Sequence, residues 1–228
     1  MSEWWTYSLS DFLLFSPRTY YRLFELYNLA IWPAHLMALV LAAAILWLLR
    51  ARAAWQGRAI LAILAGCWLW VAWAYLFERY DTINWTARYF AIAFVLQAVL
   101  LLWRAALGGI CIRLRSDMPN GFGLAIFLFA VLLYPTMAPM VGRPWMHAEV
   151  FGIAPDPTAI ASMGILLVAN ERVRWGLLVI PLAWCGLSSV TLWTMGSPDA
   201  LMPALAGGLA VITALKESRG PSQEYRSR

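Results

Sequence analysis

Seven apolar stretches dominate this sequence, and almost no charge interrupts them. They run from about Leu29 to Leu49, Ala59 to Phe77, Thr86 to Trp103, Gly121 to Ala138, Pro157 to Ala169, Trp175 to Thr194 and Ala200 to Leu215. Most have the length of a bilayer-spanning helix, roughly 17–25 mostly apolar residues. The fifth is short. A chain that is 62% apolar and 13% charged has too few polar side chains to coat a soluble domain, in which about a quarter of residues are charged. A disordered chain, a disulfide scaffold and an ordinary soluble enzyme are excluded. The expected fold is all-α, a polytopic transmembrane bundle of about seven spans over residues 29–216.

The basic residues orient this bundle. One set of connections carries Arg50, Arg52, Arg58, Arg104, Arg113, Arg115, Arg172 and Arg174, and the last stretch adds Lys216, Arg219, Arg226 and Arg228. The opposite set carries only Arg18, Arg22, Arg79, Arg88 and Arg143. Because Lys and Arg collect on cytoplasmic loops, the N-terminus is expected outside and the C-terminus inside, with residues 217–228 as a polar cytoplasmic tail. The same bias explains the net charge of +5 without nucleic acid as a partner. Glu3 and Asp11, with no basic n-region, argue against a cleavable signal peptide. Trp32, Trp47, Trp85, Trp103, Trp175 and Trp193 fall near span ends, where aromatic belts form. Cys67, Cys111 and Cys185 form no CxxC pair and read as small buried apolar groups.

Residues 1–28 lack a span. Ser16-Pro17 reads as a helix cap followed by proline at the first helical position. Tyr20, Leu23, Phe24 and Tyr27 then share one face, opposite Arg18, Arg22 and Glu25. This pattern predicts an amphipathic helix at the membrane interface, either an anchor or a lid over an outward pocket. A weak likeness between the starts and ends of the first and fifth spans suggests an internal repeat.

No Asp, Glu, Lys or Arg is expected at mid-membrane. Candidate ligand-binding groups are therefore neutral polar residues within or beside the spans, together with one acid: Asn28, His35, Gln97, Asp156, Thr158 and Ser162. The stretch from Gly142 to Ser162 is the most informative. It is broken by Pro and Gly and precedes an undersized span, the pattern of a re-entrant loop or substrate site. Asp156-Pro157-Thr158 also reads as an ordinary helix start. His147, Glu149 and Asp156 form a candidate metal set, and Glu78, Asp81, Arg88 and Arg143 complete an outer polar cluster, with salt bridges such as Asp81 or Glu149 to Arg88 or Arg143. No catalytic residue and no cofactor is indicated by any nucleophile, phosphate-loop or CxxC motif.

Phe15-Ser16-Pro17 with Tyr20 and Tyr21, Tyr27-Asn28 before Trp32-Pro33, Gln97, and Phe151-Gly152-Ile153-Ala154-Pro155-Asp156-Pro157-Thr158 leading into Gly164-Ile165-Leu166-Leu167 together resemble a family of small bacterial multi-pass integral membrane proteins of unknown function. The resemblance covers most of the chain. It implies a bacterial inner-membrane location and a multi-pass topology, and no activity. Three readings follow: a carrier or channel for a small solute or ion, an accessory subunit of a membrane complex, or a membrane enzyme or metal protein. Expected partners are the lipid bilayer, further copies of the chain or other membrane subunits.

Overall fold

A computed structural model of the chain describes residues 14–51, 53–108, 112–114, 118–169 and 174–219. Residues 1–13, the tail beyond 219, Arg52, Cys111, Arg115 and Arg172 lie outside the described residues, so the expectations placed on them are not addressed. Among the described residues the elements are helical. They are α1 (Pro17–Ala30), α2 (Ala34–Arg50), α3 (Gln56–Trp70), α4 (Ala87–Leu107), α5 (Met118–Leu128), the short α6 (Met137–Met140), α7 (Pro155–Val168), α8 (Arg174–Thr194) and α9 (Met202–Arg219).

A helix covers each of the seven apolar runs, yet the runs are not equal. Four segments are long and apolar enough to cross a membrane: Gln56–Thr82, Ala87–Leu107, Asn120–Met140 and Trp175–Thr194. α1 and α2 qualify only together, and they are bent by 85°. The first run therefore does not begin as one helix at Leu29, which lies in the last turn of α1. Pro33 then interrupts the helix ladder, because proline lacks the N–H and restricts the residue before it. α7 and α9 are apolar but shorter. α2 follows a sharp bend, whereas α7 follows an irregular loop packed inside the bundle, so the two helices do not start alike as the suggested repeat would require.

The connections gather at two ends. At one, α1 meets the 3-10 turn Trp145–His147, and Tyr21 reaches Ser197. At the other, Gln56 donates to the Ile112 carbonyl, and Ile112 bridges to Ala169. Among the described residues Arg50, Arg58, Arg104, Arg113 and Arg174 belong to the elements of the second end.

α7 is the axis of the bundle. Each of its fourteen residues is buried, as expected of a helix that is apolar on every side and sheathed by others. α3, α5, α8 and α9 surround it. Its closest neighbour is α5, and two glycines make the approach possible. A Cβ added at Gly164 would stand 2.6 Å from the Phe127 backbone nitrogen, and one at Gly123 would stand 2.7 Å from the Gly164 carbonyl oxygen. Outside this core, α2 presents Met37 and Val40 and α4 presents Ile92 and Val99 to the surroundings, the outward apolar face a bilayer requires. The belt tryptophans Trp32, Trp47, Trp85, Trp103 and Trp193 are exposed too. Trp68 is wholly buried, and Cys67 and Cys185 are buried and free.

Both α3 and α5 widen into π-helical turns toward the α1 end, at Val71–Phe77 and Phe129–Leu133. Such bulges shift the register of side chains and are frequent at functional sites. Here they precede or carry Tyr75, Tyr80 and Tyr134, all of which are buried.

Candidate functional site

The loop between α6 and α7 is packed inside the bundle ahead of α7. Ala148, Phe151, Ile153 and Ala154 are buried, and buried backbone must find partners. α1 supplies several of them. Asn28 Nδ2 donates to the carbonyls of Met146 at 2.7 Å and Ala148 at 3.0 Å, and the Tyr27 hydroxyl donates to the Ile153 carbonyl at 2.9 Å. Trp70 Nε1 donates in turn to that hydroxyl at 3.1 Å. Gly152 takes a positive φ of 82°, which brings the loop backbone against Cys67 of α3. α1 thus packs its aromatic face on protein. Tyr20, Phe24, Tyr27 and Asn28 are its buried residues.

α7 starts inside the bundle, where water cannot satisfy the free N–H groups of a first helical turn. Pro155 and Pro157 remove two of these donors outright. Thr158 anchors the turn: its hydroxyl accepts from Gly152 N at 2.9 Å and donates to the Ala154 carbonyl at 2.6 Å. Ser162 donates to the Thr158 carbonyl and accepts from Trp68 Nε1, each at 2.8 Å.

Asp156 sits in this first turn and is 1% exposed. Its Oδ1 accepts from Trp184 Nε1 at 2.7 Å. Its Oδ2 accepts from the Tyr134 hydroxyl at 2.7 Å and from Ser188 Oγ at 2.6 Å. All three donors are neutral. The N-terminal dipole of α7 also favours a negative group at this position. Trp184 and Ser188 lie ten and six residues before the end of α8 at Thr194. At 1.5 Å per residue, the carboxylate is about 9–15 Å below that end. This corrects the expectation that no acid lies deep in the spans. Asp156 follows a proline at what reads as a span boundary, but the chain enters the bundle before α7 begins.

Glu149 is the second buried acid, 8% exposed, and its Oε2 has no partner among the described residues. Arg143 does not pair with it. The Arg143 guanidinium binds Asp199 and lies over the Tyr21 ring, 4.3 Å from its centroid. Tyr21 stacks on His147 with centroids 5.7 Å apart, and its hydroxyl meets Ser197 Oγ at 2.6 Å. His147 Nε2 stands 3.8 Å from Glu25.

The predicted site residues therefore divide. Asp156, Thr158 and Ser162 come together on α7. Asn28 holds the loop above them and meets His35 Nε2 at 3.2 Å. Gln97 lies apart, donating to the Leu177 carbonyl at 2.9 Å between α4 and α8. The Asp81–Arg88 pair forms as expected, at 2.9 Å and exposed, while Glu78 makes no ion pair among the described residues. The metal set does not assemble. His147 turns to Tyr21 and Glu25, and among the described residues no three His, Cys, Asp or Glu side chains form a group able to hold an ion. Tyr134, Trp184 and Asp199 were not singled out from the sequence. The four-residue spacing of Trp184 and Ser188 is the one signal that places two donors on a single helix face.

A cavity of about 210 Å³ opens at the α1 end, between α1, the α3–α4 turn and α8. Tyr20, Tyr75, Tyr80, Phe90 and Trp184 line it, with Asn84 at its edge. A larger, shallower groove of about 790 Å³ runs along the polar side of α1 past Arg18, Arg22, Glu25, Arg143 and His147.

Four long apolar helices, five if α1 and α2 count as one span, around a buried and proline-started core helix fit an integral membrane protein with an acid inside its helical bundle. The chain belongs to the family of unknown function DUF6064, which it matches over residues 18–224. No curated protein and no solved structure matches it.

Proposed function

We propose that this chain is a multi-pass membrane carrier that takes up a small solute or ion from its α1 end, with Asp156 at the base of the site. One observation carries the reading. A carboxylate held by three neutral donors sits at the start of a helix that begins within the bundle. Ionisable groups inside membranes are costly and usually line substrate or ion pathways. Helix ends interrupted near the midplane are a recurrent form of transporter binding site. In this reading α2, α3, α4, α5, α7, α8 and α9 make seven passes, with the shorter α7 completed by its preceding loop. The Arg-rich end faces the cytoplasm of a bacterial inner membrane, and α1 closes over the outer face. The cavity beside Trp184 is the route of access.

Purified protein in sealed proteoliposomes, tested for uptake of a panel of labelled cations, amino acids and sugars, decides the question. Protein-dependent uptake that is lost in folded Asp156→Asn supports the carrier. Flux indistinguishable from empty vesicles for every solute rejects it.

A further inference from the structure

About half of the lining of the cavity at the α1 end is aromatic, beside Leu14, Leu187 and Val190. Tyr20, Tyr75, Tyr80, Phe90 and Trp184 line it, and no Lys, Arg or His among the described residues does so. Its volume of about 210 Å³ lies below the roughly 300–1,000 Å³ of drug-sized sites, so its occupant is small. Aromatic faces carry the negative part of the ring quadrupole and attract cations.

The Trp184 indole N–H adds to that attraction: it is bonded at 2.7 Å to the Asp156 carboxyl group, and donating to that oxygen enriches the ring in electron density. A second observation points to a ligand. Tyr75 is 1% exposed, and among the described residues its hydroxyl has no partner at hydrogen-bond geometry, although Tyr20 adjoins it. Asn84 and Thr191 offer further acceptor oxygens at the wall.

We infer that this cavity is a recognition site for a small organic ammonium cation, held on the faces of Trp184, Phe90 and Tyr80 above the buried Asp156. The inference rests on the carrier reading for its biological role, but binding itself does not depend on transport. Trp184 couples the two sites, because the same ring lines the cavity and donates its indole N–H to Asp156.

Calorimetry on the full-length protein in detergent tests this with choline, tetramethylammonium and the neutral isostere 3,3-dimethylbutan-1-ol. The two cations are expected to bind, and choline at least tenfold tighter than the isostere. Phe90→Leu and Tyr80→Leu should each weaken cation binding by about threefold to thirtyfold, the range of one cation–aromatic contact. Tyr80→Phe keeps the ring and should retain binding within about threefold on the same basis. Thermal melts report whether each variant is folded. If folded wild-type protein binds neither cation, or binds choline and its isostere equally, the assignment is overturned. Retained cation binding in folded Phe90→Leu and Tyr80→Leu overturns it as well. Cation binding without uptake in vesicles rejects the carrier and leaves this site standing. Uptake of other solutes, with neither cation binding, does the reverse.

Discussion

The indole N–H of Trp184 and the carboxylate of Asp156 are joined at 2.7 Å across the α7–α8 interface, where both residues are buried. Tyr134 and Ser188 share the other oxygen. An amide at this position offers one acceptor oxygen where the carboxylate has two, and its NH₂ would face donors. Asp156→Asn should therefore destabilise the protein by about 1–3 kcal/mol, the cost of leaving a buried polar group unmatched. Trp184→Phe removes one donor and should cost less. Asp156→Ala strands three donors and should cost the most. Melting temperatures in a single detergent give the order, and an Asp156→Ala variant as stable as wild type would sink it.

Asn28 is a clamp for the loop above that carboxylate. Its amide bonds two loop carbonyls, at Met146 and Ala148. Asn28→Leu has similar bulk but leaves both without a donor, again about 1–3 kcal/mol for a buried group. Loosening should centre on the loop, with the loss of the His35 bond confined to the adjoining start of α2. Limited proteolysis should cut the variant between Gly142 and Ala154 much faster than wild type, while cleavage elsewhere is unchanged. Equal cutting rates would show that other contacts suffice to hold the loop.

Much of the fold was legible because lipid leaves few solutions. Apolar runs located seven helices, and Ser16-Pro17 located the start of α1, where Ser16 Oγ accepts from Thr19 N. Depth was not legible. Asp156 reads as a surface cap because sequence spacing says nothing of where the chain re-enters the bundle. The roles of Tyr134 and Trp184 were hidden for a related reason. A π-helical turn breaks the 3.6-residue period just before Tyr134, and an indole N–H leaves no polar mark in an aromatic-rich span. His147, Glu149 and Asp156 looked like one set by proximity along the chain. The 3-10 turn at His147 and the buried loop that follows send them in different directions.

His147 gives the structure a pH dependence on its acid side. Burial holds its imidazole below the usual histidine range, opposed by Glu25 and reinforced by Arg143. The unfolded chain then binds a proton more readily than the folded one. Stability contributed by neutral His147 is present above the ordinary value of about 6.5 and is lost as pH falls through that value toward the folded one. On going from pH 7 to pH 5 the melting temperature of wild-type protein should fall relative to that of His147→Gln, which has nothing to protonate, and an identical pH profile for the two proteins would remove His147 as a source of pH dependence.

The crossing of α5 and α7 depends on two missing side chains. At Gly164 a methyl group would meet the Phe127 nitrogen at 2.6 Å and the Gly123 oxygen at 2.7 Å. Both are backbone atoms, so no rotamer change relieves the clash. Gly164→Ala must push the helices apart, at a cost at or above the roughly 1–3 kcal/mol of an overpacked core. Moving α7 also moves Asp156 away from Tyr134, which belongs to the segment that continues α5, while Trp184 and Ser188 lie on α8 across a separate interface. Gly208 on α9 is the control, because a methyl there meets nothing within 4 Å and alanine is the better helix former. Gly208→Ala should leave the melting temperature equal or slightly raised, whereas Gly164→Ala should lower it by several degrees. Equal melting temperatures for the two variants would mean that α5 and α7 do not approach as closely as these glycines allow.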